Sequence, residues 1–214
     1  MSAPNAPDDH LASTEAPAVD SAPIVEKKPL WITTTLQQKV ADFLFVMLAY
    51  AVVGVSPGKI AELQTNDPKE LIEDKTDKVV KNIGSPKVPI LVEDTCVSFL
   101  NQDGTSTNYP GFDITRVVKL FCLFTLAMMK GYTRAAYCCS AMLVMPDGTR
   151  YYFTVTRYVT ICEKRKGPGA IDPYAIPDGS DKAFSEMSEE ERTVFHPRAE
   201  LARLIVAKLQ ELGY

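Results

Sequence analysis

The chain has 214 residues, of which 46% are hydrophobic and 23% charged, as in ordinary globular proteins, and this length suffices for one large domain. Its 23 basic and 27 acidic side chains give a net charge of −4, which argues against a binder of nucleic-acid polymers, because such proteins normally carry a basic surplus. The two histidines are too few for a histidine-rich metal site. The best apolar run, residues 43–55, is shorter than the roughly 20 residues of a membrane-spanning helix, so we expect no membrane partner.

The cysteines and the N-terminus indicate the compartment. The five cysteines lie mostly within apolar runs and form no C-x-x-C pair, which is typical of reduced thiols. They are Cys96, Cys122, Cys138, Cys139 and Cys162. The N-terminus lacks the basic and apolar regions of a secretory signal, so we expect a cytoplasmic protein.

The first part of the chain differs in composition from the rest. Residues 1–28 are rich in Ala, Pro, Ser and Asp and contain few large apolar side chains. Such a segment cannot bury enough surface to offset the entropy that it loses on ordering. We predict a disordered acidic tail over residues 1–28 and a folded domain over 29–214.

The folded part opens with strands and helices in alternation. A short β-prone run predicts a strand over residues 29–33, and apolar residues at helical spacing predict a helix over 36–50. A second strand is predicted over 51–55. A proline suited to the first turn of a helix then opens a predicted helix over 68–82.

A continuous apolar run over residues 88–92 predicts a strand that is buried on both faces of a sheet. Glu93-Asp94-Thr95 follows it directly. Open α/β sheets place their ligand sites at the ends of such strands, and two adjacent carboxylates are able to hold Mg²⁺ or activate water. A solvated strand end is the alternative, and the residues alone leave both interpretations open.

The remaining elements complete an alternating pattern. They are a helix over residues 114–129, strands over 135–144 and 151–158 joined by a Pro-Asp-Gly-Thr turn, and a final amphipathic helix over 199–212. Helices and strands that alternate in this way predict the α/β class.

Basic residues offer further candidate contacts to a phosphate chain. Lys39 follows a Thr-rich turn between a strand and a helix, residues 164–167 form a basic loop, and His196-Pro197-Arg198 begins the last helix. Solvated loops and helix caps are the alternatives, and these stay open. With one histidine in the folded part, the sequence argues against a Ser-His-Asp hydrolase.

These pieces, in this order, resemble the inosine triphosphate pyrophosphatase family over residues 30–212. The strongest block is Ile90-Leu91-Val92-Glu93-Asp94-Thr95-Cys96, which is similar to the family's strand and acid motif. The other blocks are Pro110-Gly111, Arg134-Ala135-Ala136-Tyr137, Asp172-Pro173, Pro177-Asp178-Gly179 and Phe184-Ser185-Glu186-Met187.

The resemblance implies an elongated single-domain α/β protein with a mixed central sheet, two lobes and a nucleotide cleft, and it implies a homodimer. The implied activity is Mg²⁺-dependent hydrolysis of ITP, dITP and XTP to the monophosphate and pyrophosphate. Asp94 and Lys39 are the implied catalytic residues, and Asp94 and Glu93 are the implied metal ligands. The implied substrate-binding residues are Thr34, Lys39, Lys78, Thr95, Asp172, Arg192, His196 and Arg198.

The sequence departs from the family pattern at three places. Thr35-Leu36 stands where the family has Gly-Asn, Thr65 stands where it has a metal-binding Glu, and Gly169-Ala170-Ile171-Asp172 replaces Phe-Gly-Trp-Asp. Two hypotheses follow. The chain is either a divergent nucleoside triphosphate pyrophosphatase or a catalytically impaired homologue that acts as a nucleotide-binding or scaffold protein on the same fold.

Overall fold

The computed structural model describes residues 26–214, apart from 35, 59, 62, 64, 66, 85, 112–113 and 118–120. Of the tail predicted over residues 1–28, residues 1–25 therefore lie outside the described residues. The first strand begins at Lys28, one residue before the predicted start of the folded domain.

A mixed sheet of seven strands forms the centre of the molecule. The strands are β1 (Lys28–Thr33), β2 (Tyr50–Val55), β3 (Ile90–Leu100), β4 (Ser106–Gly111), β5 (Arg134–Val144), β6 (Arg150–Ile161) and β7 (Ala175–Pro177). Their order is β2-β1-β3-β5-β6-β7, and β4 pairs with the far part of β3. The β2-β1-β3 pairings are parallel and the others are antiparallel, which confirms the predicted α/β class with a mixed sheet.

The helices cover both faces of this sheet. They are α1 (Gln37–Leu44), α2 (Pro68–Ile83), α3 (Ile114–Val117), α4 (Leu123–Lys130), α5 (Glu189–Phe195) and α6 (Pro197–Glu211). None of the helices in the described part of the chain has the length and apolarity that a membrane crossing needs.

Two predicted helices are shorter than the sequence pattern suggested. The helix predicted over 36–50 ends at Leu44, because the chain turns through residues 45–49 to begin β2, while Phe43 and Met47 keep their places in the core. The helix predicted over 114–129 is not continuous, because Cys122 accepts a hydrogen bond from the backbone N–H of Thr125 and so caps a separate helix, α4.

The strand predicted over 88–92 runs on to Leu100, so the acid motif lies inside β3 and not after it. The reason is that β5 pairs with β3 from Ile90 opposite Val144 to Phe99 opposite Ala135. Neighbouring residues of a strand point to opposite faces. Glu93 therefore faces α1 and α6, and Asp94 faces α2.

One edge of β3 is open beside the acid motif. In the described pairings, β1 pairs with β3 as far as Leu91, and β4 pairs with it only from Val97 onwards. Among the described residues, no strand pairs with this edge of β3 over residues 92–96, and we call this stretch the β3 gap. Side chains from both faces of the sheet reach it.

Candidate active site

A buried ion-pair cluster surrounds Glu93 on one side of the β3 gap. Lys39 Nζ lies 2.6 Å from Glu93 Oε2, and Arg198 Nε lies 2.9 Å from Oε1. The hydroxyl of Thr95 donates to Oε1 at 2.7 Å and accepts from Arg198 Nη2 at 2.9 Å. Both oxygens of the carboxylate are thus engaged.

The electrostatics of Glu93 follow from these contacts. Burial by itself would raise the pKa of this carboxyl, but the charges of Lys39 and Arg198 hold its pKa below the usual range. Glu93 is therefore ionised, buried and committed to two cations. It faces away from Asp94, so the two carboxylates that were expected to share a metal ion lie on opposite sides of the strand.

Asp42 extends this cluster from Glu93 towards Asp172. Its Oδ2 lies 2.9 Å from Arg198 Nη1, and its Oδ1 lies 2.9 Å from Arg192 Nη2. Arg192 Nη2 also lies 3.0 Å from Asp172 Oδ2. One continuous chain of charges therefore joins the acid motif to Asp172, one of the substrate-binding residues that the resemblance implies.

Asp172 and His196 form the far end of the cluster. Tyr137 donates its hydroxyl to Asp172 Oδ1 at 3.2 Å. Burial tends to raise the pKa of Asp172, but the neighbouring His196 and Arg192 hold it below its usual range. The short helix Asp172–Tyr174, with a proline in its first turn, fixes the backbone that carries the carboxylate.

His196 caps α6 and presents one nitrogen to Asp172. Its Nδ1 accepts the backbone N–H of Arg198 at 3.2 Å, so in the neutral ring Nε2 carries the proton. Nε2 lies 3.7 Å from Asp172 Oδ1, which is longer than a hydrogen bond, and it finds no hydrogen-bond partner among the described residues. Burial lowers the pKa of His196, which favours the neutral ring.

Asp94 lies on the α2 side of the β3 gap. Lys75 Nζ lies 2.9 Å from its Oδ2, and the backbone N–H of Thr95 donates to its Oδ1 at 2.7 Å. The Asp94 side chain keeps 16% exposure, whereas that of Glu93 keeps 2%. Of the two acids, Asp94 is the one that a ligand in the gap is able to reach.

The structure brings Lys75, and not Lys78, to this carboxylate. Lys78 Nζ lies 2.6 Å from Asp74 Oδ2 and donates to the carbonyl of Ala61 at 2.6 Å. The sequence held a signal for this outcome, because Lys75 falls between the buried residues Ile72 and Val79 at spacings of three and four, on the face of α2 that packs on the sheet.

Thr34 lies at the turn between β1 and α1, where its hydroxyl accepts the backbone N–H of Leu36 at 3.1 Å. Leu36 is the N-cap residue of α1, is 58% exposed and supplies no side-chain cap. The same turn leads into Lys39. The start of α1, Thr34 and Lys39 therefore lie on the same connection.

Two more residues of the cluster were not predicted. Asp42 interrupts the apolar stripe of Val40 and Phe43 and is buried, and a buried acid in such a stripe requires a cationic partner, which was the available signal. Tyr137 lies within a motif of the resemblance, but nothing in its local sequence pointed to Asp172.

A model of the Ham1 family matches residues 30–207, which include every residue of this site. The chain belongs to the Ham1 family. One curated relative that it matches is the dITP/XTP pyrophosphatase of Hyperthermus butylicus, 35% identical over 82 residues, or 37% of this chain. The match spans 43% of that relative's length.

Solved Ham1 structures share the fold. The Staphylococcus aureus Ham1 protein superposes with a TM-score of 0.62 at 20% identity, over 86% of this chain and 99% of that one. A HAM1 protein from Coxiella burnetii gives 0.66 at 13% identity, with coverages of 86% and 99%. A nucleoside-triphosphatase and dITP/XTP pyrophosphatase from Mycobacterium abscessus gives 0.57 at 18% identity, with coverages of 85% and 98%.

Ham1 proteins generally depend on a divalent metal ion, so the donor set of this chain is relevant. The described residues contain no cluster of three or more His, Cys, Asp or Glu side chains that would hold a metal by themselves. Of the four carboxylates of the site, Asp94 keeps the largest side-chain exposure, 16%, against 13% for Asp172, 4% for Asp42 and 2% for Glu93. One carboxylate suits a hydrated ion that arrives with a triphosphate, and Mg²⁺ is commonly bound by one or two carboxylates together with substrate phosphates.

Proposed function

We propose that this chain hydrolyses ITP, dITP and XTP to the nucleoside monophosphate and pyrophosphate, with Mg²⁺ as the metal. The observation that carries the proposal is the convergence of two lysines from different helices, Lys39 from α1 and Lys75 from α2, on adjacent acids of the β3 gap. The pyrophosphatase names of the relatives support the enzyme over the catalytically impaired alternative.

The phosphate chain would lie along the β3 gap. Lys39 and Lys75 keep 17% and 13% side-chain exposure, so a ligand reaches each ammonium while water screens it little. Thr34 and the backbone N–H groups at the start of α1 add donors for phosphate oxygens. Lys75 would exchange Asp94 for a phosphate oxygen when the nucleotide enters.

Asp94 would then be free to act on water and metal. Its carboxylate is the group that would bind the Mg²⁺ ion of the nucleotide and take up the proton of the attacking water. Bound Mg²⁺ would supply charge neutralisation on the triphosphate. The ion pairs with Lys39 and Arg198 leave Glu93 a positioning residue that holds the strand and both cations in place.

The base would lie against Asp172, Arg192 and His196. A 6-oxopurine presents an acceptor at O6 and a donor at N1, whereas adenine presents the opposite pattern. The Nε2–H of His196 and the Arg192 guanidinium suit O6, and the Asp172 carboxylate suits the N1 proton. Adenine would leave these buried groups unpaired, which is an effective basis for rejection.

Pyrophosphate release from ITP, XTP, dUTP and ATP, with Mg²⁺ and with a chelator, tests this proposal. We expect pyrophosphate and the monophosphate from ITP and XTP, little from ATP, and none with the chelator. Pyrophosphate from none of the four, with ITP bound nevertheless, would support the catalytically impaired homologue. Equal rates with ITP and ATP would contradict the proposed base site.

We also infer a homodimer. Three large apolar side chains, Phe121, Met128 and Met129, are 46%, 42% and 65% exposed at and beside α4. Neighbouring apolar side chains at the surface are typical of a subunit interface. Light scattering should give about twice the chain mass of 23.6 kDa at micromolar concentration, and the mass of a single chain would contradict the inference.

A cytoplasmic location is the compartment that the thiols favour. All five cysteines lie in the described residues and are free thiols. Free thiols persist where glutathione keeps them reduced. Fractionation of the source cells would test the location, and recovery in an oxidising compartment would contradict it.

A further inference from the structure

Cys96 of β3 and Cys138 of β5 lie opposite each other on neighbouring strands. They are direct partners in the antiparallel register, so their side chains lie on the same face. Opposite residues of an antiparallel pair have Cα atoms about 4.5–5.5 Å apart. That separation falls within the range of about 4.4–6.8 Å that a disulfide bond spans.

The surroundings of Cys138 activate its sulfur. Thr154 and Ser140 place their hydroxyl oxygens 3.4 and 3.7 Å from Cys138 Sγ. Hydrogen bonds from Cys96 and from the hydroxyls of Thr154, Thr156 and Ser140 lower the pKa of the Cys138 thiol to about 5, against the opposing effect of burial. Thiolate is the reactive form of cysteine towards peroxides.

Both cysteines border an open cavity. Its volume is about 260 Å³, and its lining includes Cys96, Ser98, Cys138, Thr156 and Tyr158. Cys138 is half-buried and Cys96 is 8% exposed, so a small oxidant in the cavity reaches Cys138 more readily than Cys96. The adjacent Cys139 is 0% exposed and packs in the core on the other face of the sheet.

We propose that Cys138 and Cys96 form a peroxide-sensitive dithiol, with Cys138 as the attacking thiol and Cys96 as the resolving thiol. The Cys138 thiolate attacks a peroxide oxygen, so an S–O bond forms, the O–O bond breaks and hydroxide leaves. The Cys96 sulfur then attacks the sulfenic sulfur of Cys138. An S–S bond forms, and the leaving hydroxide takes the Cys96 proton as water. Two thiols, oxidised together, reduce one hydrogen peroxide to two waters.

Peptide mapping after hydrogen peroxide treatment of the full chain tests the proposal. We expect the loss of two hydrogen atoms per chain, full recovery of the thiols with dithiothreitol, and a non-reduced peptide that joins the segment of Cys96 to the segment of Cys138. The change of Cys139→Ala should leave this linked peptide in place, which assigns the bond to Cys138.

A second variant separates the chemical step from a folding defect. Cys96→Ser should stop the reaction at the sulfenic acid, so dimedone should label Cys138 in this variant and not in the wild type. Cys162→Ser is the matched control and should behave as the wild type. The proposal is overturned if peroxide leaves Cys96 and Cys138 reduced in the folded protein, or if the only oxidised thiol is the half-buried Cys122.

Discussion

Arg198 donates from Nη1 to Oδ2 of Asp42 at 2.9 Å, across 156 positions of the chain. This contact ties the last helix to the first, and Arg198 contacts Glu93 in the same buried cluster. This one guanidinium therefore supplies one of the two cationic partners of each of these buried carboxylates. The geometry of the site and the stability of the fold rest on the same side chain.

Arg198→Leu should destabilise the fold strongly, because Glu93 and Asp42, both buried, each lose one of their two cationic partners. Breaking a buried pair by the loss of one partner costs about 3–5 kcal/mol. Arg134→Leu is the matched control, since Arg134 pairs with Asp178 where the side chains are 42% and 53% exposed, and such pairs contribute about 1 kcal/mol or less. Urea unfolding of both variants measures the difference, and equal losses would contradict the account.

Lys75→Met should lower kcat/KM for ITP by about 10- to 100-fold, or about 1.4–2.7 kcal/mol, because it removes an ammonium from the β3 gap. Lys78→Met, one turn away on the same helix, should change kcat/KM less than about threefold, because Lys78 pairs with Asp74. Steady-state kinetics of the two variants and the wild type measure these changes in kcat/KM. A larger effect at Lys78 would assign the phosphate contact to that residue, as the sequence resemblance implies.

Stability should depend on pH through His196. Burial lowers its pKa below the ordinary 6.5, while the unfolded chain keeps the ordinary value. Between these two values the unfolded chain binds a proton that the native chain does not, so the free energy of unfolding falls as the pH drops below about 6.5. The slope of this effect is at most about 1.4 kcal/mol per pH unit.

His196→Gln should remove that part of the pH dependence. Urea unfolding at pH 7.0 and 5.5 compares the variant with the wild type. The pKa values of Glu93 and Asp172 lie below the usual range, so both carboxylates stay ionised in the native chain at these two pH values. The wild type should lose more stability than the variant. An identical loss in both proteins would show that His196 is not held neutral.

The sequence predicted secondary structure correctly where the residues that carry the pattern and the element that they form lie within a few positions of each other. The Pro-Asp-Gly-Thr turn predicted the β5–β6 hairpin, and Asp147 accepts the backbone N–H of Thr149 at 2.8 Å in that turn. The Ser-x-x-Glu spacing at residues 188–191 is that of a capping box, and Ser188 and Glu191 exchange side-chain to backbone bonds at the start of α5. These elements need no distant partner.

Elements that depend on distant partners were less predictable. The end of β3 is set by β5, about 40 positions away in the chain, so the apolar pattern of residues 88–92 marked only residues 90–92 of this strand. The choice of Lys75 over Lys78 depends on how α2 lies on the sheet, and Asp42 gains its role only when Arg192 and Arg198 fold back onto α1. The resemblance to the inosine triphosphate pyrophosphatase family identified the motif residues, but their contacts required the structure.

Ile171→Trp should strengthen binding of purine nucleotides, because Ile171 stands next to Asp172 where the family has a stacking aromatic residue. Stacking of a base on an aromatic side chain contributes about 1–3 kcal/mol, so KM for ITP should fall at least about fivefold. Every purine has a stacking face, so the ratio of ITP to ATP turnover should stay the same. Ile171→Leu, without a planar surface, is the control, and an unchanged KM in the Trp variant would place the base elsewhere.

The rate of pyrophosphate release from ITP with Mg²⁺, compared between the wild type and Asp94→Asn, tests the central claim most directly. The substitution keeps the shape of the side chain and removes the charge that faces Lys75 in the β3 gap. We predict measurable release by the wild type and a loss of about 100-fold or more in the variant, with the melting temperature little changed. Equal release by a folded Asp94→Asn variant would contradict the account.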